Sequence, residues 1–383
     1  MASTDRDPLA LPFDEADMIA RLRPWIETES PTFDPQAVTR MMERAAADMK
    51  AMGASVEIIA PSGGFGASLR AHFPHPDHGK APGILVSGHM DTVHPVGTLE
   101  KNPWRVKDGK AWGPGVQDMK GGNFAMVEAA RQLHKAGWTT PLPVTFLFTP
   151  DEEVGTPSAR GLIEDEARKN KAVLLPEPAL RDGGAVIGRY AIARYNLETT
   201  GKPSHAGWAL KEGRSAIAEM ARRILDVEAM TSDDCTFSVG VIHAGQWVNC
   251  VSSSCRAEAL SMAKRQEDLD AGVAAMLALS GERNGVEFKV TRGVTRPVWT
   301  PDQPGTMALY ETAKAICARL GFELSAQSSG GGSDGNFTGA LGIPTLDSIG
   351  LRGAGLHTLD EHVETASLVE RARLSAALFM EIR

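Results

Sequence analysis

Apolar positions along the chain follow two periods, and the places where the period changes outline its elements. After Asp34-Pro35, a capping residue followed by proline at a first helical position, Val38, Met41, Met42, Ala45, Met49 and Met52 recur every three or four residues until Gly53. That spacing predicts a helix whose methionines face the core. Strands are expected at residues 56–59 and 67–73. The runs Ile84-Leu-Val86, Val144-Thr-Phe-Leu-Phe148 and Ala172-Val-Leu-Leu175 show little polar alternation, as in strands buried on both faces of a parallel sheet. A helix carrying Phe124, Val127, Ala130 and Leu133, and another at 158–169, alternate with them, which reads as α/β. Residues 93–121, with Trp104 and Trp112, are expected to form a long functional loop. His72, His75 and His78 fall in a Pro/Gly-rich stretch expected to be a solvated loop.

From about Tyr190 the texture changes. Extended segments at 192–199, 236–242 and 252–262 alternate with helices at 214–230 and 267–280, until about 292–297. A helix at 307–320, a Gly-rich loop, a strand at 343–349 and a last helix at 366–382 then resume the first texture. The expected organisation is a catalytic domain of residues 1–189 and 298–383, interrupted by an inserted α+β domain of residues 190–297.

Composition narrows the classes. A chain of 383 residues exceeds what one core usually supports, and 42% hydrophobic with 23% charged content is that of an ordinary globular protein. A net charge of −8 and a pI near 5.7 argue against nucleic acid or an anionic membrane as partner. No basic flank precedes an apolar core at the start, and no apolar run approaches about 18 residues. The four cysteines make no Cys-x-x-Cys pattern, so free thiols and a soluble, cytoplasmic protein are expected.

Acids and histidines gather where the strands end. His89 and Asp91 are two residues apart and share a face; they suit a metal ligand with its supporting carboxylate, or a buried structural pair. Asp118 precedes a helix, as a functional acid or an N-cap. Asp151-Glu152-Glu153 follows a buried strand, and such like charges call for a cation or a solvated helix start. Glu177 again follows apolar residues directly. In open α/β sheets, sites form at the carboxyl ends of strands.

Taken in order, His89-Met-Asp91, Gly115-Val-Gln-Asp118, Asp151-Glu152-Glu153, Glu177-Pro178, Pro203-Ser-His205-Ala-Gly207, Gly330-Gly-Gly-Ser-Asp334 and His357 resemble the aminoacylase/glutamate-carboxypeptidase family of di-zinc metallopeptidases, glutamate carboxypeptidase most of all. The resemblance runs from about Gly83 to His357. It implies a zinc-exopeptidase-like mixed sheet flanked by helices, with the inserted domain serving for dimerisation and as a lid. It further implies two Zn2+ ions, with Co2+ or Mn2+ as possible substitutes, bridged by Asp118. His89 and Glu177 would complete one ion's ligands, and Glu153 and His357 the other's. Asp91 would orient His89, and Glu152 would be the general base. His205 would steady the oxyanion in the partner subunit's site of a homodimer, and Asn249 would contact substrate. Asp334 is a further substrate-binding candidate. The substrate implied is a small peptide or N-acyl amino acid, with a less usual amide or aryl-amine substrate on the same site as the alternative. One position departs: Met262 stands where carboxypeptidase-like members have an arginine for the substrate's terminal carboxylate. Arg189, Arg256 and Arg292 are candidates to replace it.

Two rivals follow from the same residues. Gly331-Gly-Ser333-Asp-Gly335 matches a nucleophile elbow, with Asp347 and His357 after it in serine-hydrolase order. No strand runs straight into that turn, however, and too little chain remains for the rest of that fold. The same loop lacks the lysine of a P-loop. A non-catalytic binding relative would be expected to have lost a ligand or the base, and here every one is present.

Overall fold

Ile84–Val86 lie at the centre of strand Gly83–His89, in which every residue is buried. In the computed structural model, which describes residues 6–383, this strand pairs in parallel with Val144–Thr149 on one side and Asn170–Leu174 on the other. Thr345–Leu346 adds a further parallel edge beyond Asn170–Leu174. Ser68–His72 and Ser55–Ile59 extend the opposite side antiparallel. The result is a mixed six-stranded sheet with helices packed on it.

Helix Pro35–Ala51 starts where the cap signal places it, with the Asp34 side chain accepting from Ala37 N at 2.9 Å. Met41, Met42 and Met49 are fully buried, each worth roughly 1.5–3 kcal/mol relative to exposure. Helix Gly121–Lys135 packs against the last helix, Thr365–Glu381. It can start close to the strand ends because two glycines leave room. A Cβ on Gly122 would lie 2.0 Å from the Pro176 carbonyl oxygen, and one on Gly88 would lie 2.1 Å from Asn123 Oδ1.

The chain divides into two compact units. One comprises the described residues up to Gly188 with Thr300–Ser329 and Ser333–Arg383; the other comprises Arg189–Trp299 with Gly330–Gly332. The second unit is an antiparallel sheet in the order Cys235–Ala244, Ser254–Ala263, Ala191–Thr200, Val286–Arg296, Gly281–Arg283. Burial alternates along Ala191–Thr200, as on a sheet with one solvated face. Helices Ala216–Glu228 and Gln266–Ala278 contribute Met220, Val227, Leu269 and Met276 to the covered face.

Several expectations are corrected. Residues 93–121 are not structureless: they hold a short helix, Thr98–Lys101, and a hairpin of Arg105–Lys107 with Lys110–Trp112, which pairs onward with His362–Glu364. The histidine triplet is half-buried rather than a solvated loop. His72 ends a strand and stacks on His78 at 3.4 Å between ring centres, and His75 Nε2 lies 2.8 Å from the Thr140 carbonyl. Helix Glu15–Ile26 precedes the first one expected and buries Met18, Leu22, Trp25 and Ile26. The strand expected at 343–349 is reduced to Thr345–Leu346.

Candidate metal centre

Three parallel strands open at one edge of the mixed sheet. His89 ends the middle strand, Glu152 and Glu153 follow Val144–Thr149 in a single tight turn, and Glu177 follows Asn170–Leu174 by three residues. Asp118 is carried by the irregular segment Val116–Lys120, in which the Asp118–Met119 peptide bond is cis. His357, at φ 62°, comes from the loop after Gly353–Ala354.

These side chains converge on Asp118. His89 Nε2 lies 3.2 Å from Asp118 Oδ1 and 3.9 Å from Glu177 Oε2. His357 Nε2 lies 3.1 Å from Asp118 Oδ2 and 3.4 Å from Glu153 Oε2. Asp118 thus offers one oxygen to each imidazole, with a second carboxylate beside each. Asp91, fully buried, ties the cluster together. Its Oδ1 lies 3.3 Å from His89 Nδ1 and accepts from Glu152 N at 3.2 Å; its Oδ2 accepts from Thr32 Oγ1 at 2.7 Å and Glu153 N at 3.3 Å. His89 Nδ1 also lies 3.0 Å from the Asp91 carbonyl, so it serves as donor there, and Nε2 is the ring nitrogen turned to Asp118 and Glu177.

The electrostatics are those of crowded acids. Burial and the neighbouring carboxylates, Asp118 among them, push Glu177 well above the usual carboxylate range, and burial likewise raises Glu153. Burial works against Asp118 too, yet hydrogen bonds to His357 and His89 hold it below its ordinary value. Hydrogen bonds to Asp118 and Glu153 push His357 up to about 10. His89 is raised by Asp118 and Asp91 in spite of its burial. A divalent cation relieves the same crowding. One ligand atom from each of His89, Asp118 and Glu153 lies within 4.8 Å of the others, and a mixed set of imidazole and carboxylate suits zinc or its near neighbours.

The remaining candidates are placed as follows. Asp118 caps no helix, since helix Gly121–Lys135 has Lys120 at its N-cap and no side-chain cap there. Asp151 turns inward to accept from Ser158 N at 2.5 Å, and burial raises it to about 6. Asp334 is only 1% exposed and accepts from Thr156 Oγ1 at 2.5 Å and Thr149 Oγ1 at 3.3 Å. The serine-hydrolase arrangement is absent. Buried Ser333 donates to Asp347 Oδ2 at 2.5 Å and accepts from Gly335 N, while His357 turns to Asp118.

In the second unit, His205 and Asn249 are neighbours: Ala206 N donates to the Asn249 carbonyl at 2.9 Å. His205 Nδ1 accepts from Gly207 N and Trp208 N at 3.1 and 3.2 Å, which leaves the proton on an exposed Nε2. Arg189 is buried with Nη1 on the Gly331 carbonyl at 2.6 Å, Arg256 pairs with Glu198, and exposed Arg292 donates to Thr295 Oγ1. Met262 is half-buried in strand Ser254–Ala263, opposite Ile192 and Thr236.

Sequence reasoning missed Thr32, His94, Lys120 and Glu361. Lys120 is buried with Nζ on the Thr28 carbonyl at 2.8 Å, and burial draws its pKa down to about 7. Only the spacing of Glu361, four residues beyond His357, could have flagged it.

Residues 85–381 match the family described as Peptidase family M20/M25/M40. Carboxypeptidase G2 of Pseudomonas sp. (strain RS-16) is 33% identical over 310 residues, covering 78% of this chain and 74% of its own. Succinyl-diaminopimelate desuccinylase of Acinetobacter baylyi is 26% identical over 318 residues, covering 76% and 81%. The crystal structure of aminopeptidase PepT from Bacillus cereus superposes with a TM-score of 0.74 at 24% identity, covering 96% of this chain and 98% of that one, a likeness of fold.

Proposed function

The chain belongs to peptidase family M20/M25/M40, and from that premise we propose that it is a two-zinc amidohydrolase cleaving small peptides or N-acyl amino acids. A metal-dependent hydrolase follows from the family. The observation that carries the two-metal reading is Asp118, whose oxygens are divided between His89 and His357. His89, Asp118 and Glu177 would hold one ion, and Asp118, Glu153 and His357 the other. When bound, such ions polarise the amide carbonyl and acidify an attacking water.

The protein's own groups do the rest. Asp91 fixes the His89 ring and the backbone of Glu152 together, so the base and a ligand keep one spacing. Glu152 takes the proton of the water and returns it to the leaving amine. His205, with its proton on Nε2, is suited to donate to the developing oxyanion, and Asn249 beside it to hold the substrate. A homodimer in which His205 serves the partner's site is supported by the apolar surface of the second unit, where Ile242 is 49% and Trp247 68% exposed; sedimentation equilibrium checks it. Four unbridged cysteines support a cytoplasmic setting. Among the described residues no helix is long and apolar enough to cross a membrane.

One relative is named a carboxypeptidase and another a desuccinylase, which supports the peptide and N-acyl readings respectively. Met262 favours a second reading, in which a free terminal carboxylate is not required, because a thioether cannot pair with a carboxylate. The test is amine release from paired substrates sharing one acyl-amino-acid skeleton, with the terminal carboxylate free or amidated, using metal-loaded and chelator-stripped enzyme. Metal-dependent cleavage of the free acid alone supports the first reading. Cleavage of both, or of the amide alone, supports the second. No metal-dependent release from any pair refutes the substrate class.

A further inference from the structure

Asp118 is gripped at two points by one short stretch of chain. His357 meets its carboxylate, and Glu361, four residues later, meets its backbone: Glu361 Oε1 accepts from Asp118 N at 3.1 Å and from Gln117 N at 2.8 Å. Oε2 accepts from Gly115 N at 2.9 Å and lies 2.7 Å from His94 Nε2, itself buried. The Glu361 side chain is fully buried. A carboxylate has about four acceptor positions, and all four are engaged.

The sequence explains why such a group is needed. Asp118 and Met119 have non-helical dihedrals, φ −115° and −130°, within Val116–Lys120. Backbone N–H groups that leave a regular ladder inside the protein need another acceptor. Glu361 supplies it for two of them in this segment, Gln117 and Asp118, and for Gly115 just before it. The same contacts set where the Asp118 Cα and its carboxylate point. We propose that Glu361 is a positioning residue for the metal centre, holding residues 115–118 so that the oxygens of Asp118 stay divided between His89 and His357. The proposal rests on reading that cluster as the metal site.

The experiment measures Zn2+ affinity of the full chain by competition with a chromophoric chelator, with the visible spectrum of the Co2+-loaded protein as a second readout. Glu361→Gln sets an amide NH2 against at least one backbone N–H. Replacing the group behind a metal ligand weakens affinity by about 10- to 100-fold, so that loss is expected, together with a shifted Co2+ spectrum. Glu219→Gln is the control. Glu219 is equally buried and paired with Arg223 and Arg283 in the second unit; its replacement lowers Tm and leaves affinity and spectrum alone. His94→Ala removes one of the four contacts, and a loss of about three- to tenfold is expected, recovered in His94→Gln, which keeps an N–H donor. That pair carries the test if Glu361→Gln does not fold. Wild-type affinity and spectrum in Glu361→Gln overturn the proposal, as does an unaltered affinity in His94→Ala. A wild-type chain that takes up no Zn2+ overturns the metal reading and the positioning role with it.

Discussion

Replacing Asp91 with asparagine tests how tightly the site is tied together. The carboxylate is fully buried and faces four donors: His89 Nδ1 and Glu152 N on one oxygen, Thr32 Oγ1 and Glu153 N on the other. An amide keeps only one acceptor oxygen. Turned toward Thr32, it sets NH2 against the His89 ring and the backbone of the proposed base. Turned toward His89, it loses Thr32 and Glu153 and still lacks the charge that favours an N–H on the imidazole. Because Oδ2 has the shorter contact, at 2.7 Å, the first orientation is expected. The loss then centres on one hydrogen bond to a charged acceptor, about 1.5–3 kcal/mol, or roughly 10- to 150-fold in kcat/KM at 1.36 kcal/mol per decade. Thr32→Val removes one donor while the carboxylate keeps its other three, and should cost about three- to tenfold. The assay is kcat/KM on the best cleaved substrate of the paired series, with bound metal measured alongside. An Asp91→Asn enzyme within twofold of wild type, or one no worse than Thr32→Val, refutes the role given to Asp91.

Three further outcomes are expected. Glu152→Gln should lower kcat by about 10²- to 10⁴-fold while metal content by atomic absorption stays at the wild-type level; lost metal instead makes Glu152 a ligand. Since carboxylate neighbours hold the His357 proton up to about 10 and raise His89 as well, metal binding at pH 7–8 should release protons, and affinity should fall as pH drops; calorimetry in buffers of differing ionisation enthalpy reads the release, and none detected refutes the ligand assignment. At pH 8 a thiol reagent should label Cys250 quickly and Cys235, Cys255 and Cys317 only on unfolding, because Cys250 alone is exposed and burial pushes Cys317 up to about 12; rapid labelling of more than one thiol refutes it.

The buried sheet was legible because its strands are apolar runs, and His89, Glu152, Glu153 and Glu177 stood out because they come just after those runs, whereas Asp118 and His357 follow none and were singled out only through the ordered motifs of the resemblance. The missing pieces share a cause. Both hairpins that went unread, Arg105–Lys107 with Lys110–Trp112 and Gly281–Arg283 with Val286–Arg296, turn on Asp108-Gly109 and Asn284-Gly285 at positive φ, the strongest short-range hairpin signals. Arg105–Lys107, Lys110–Trp112 and Gly281–Arg283 are too short to show a period, whereas Val286, Phe288 and Val290 do alternate with polar residues and bury one face, a signal that went unread. Helix Glu15–Ile26 was hidden by Pro24 inside it. Glu361 was hidden by its surroundings, since Thr358-Leu-Asp360-Glu361 reads as a solvated polar loop. Its burial comes from packing against a segment more than 240 residues earlier in the chain, which no local pattern can report.

The donors on either side of the second unit are far apart in time as well as in sequence. His357 follows Glu177 by 180 residues, and at roughly 5–20 residues per second of synthesis it leaves the ribosome some ~10–35 s later. Throughout that interval Asp118, Glu153 and Glu177 exist in a nascent chain without His357 at Asp118 or Glu361 behind it. The proposed centre is therefore completed by the last tenth of the polypeptide, and a chain interrupted before His357 would carry most of the proposed donors and none of the closure.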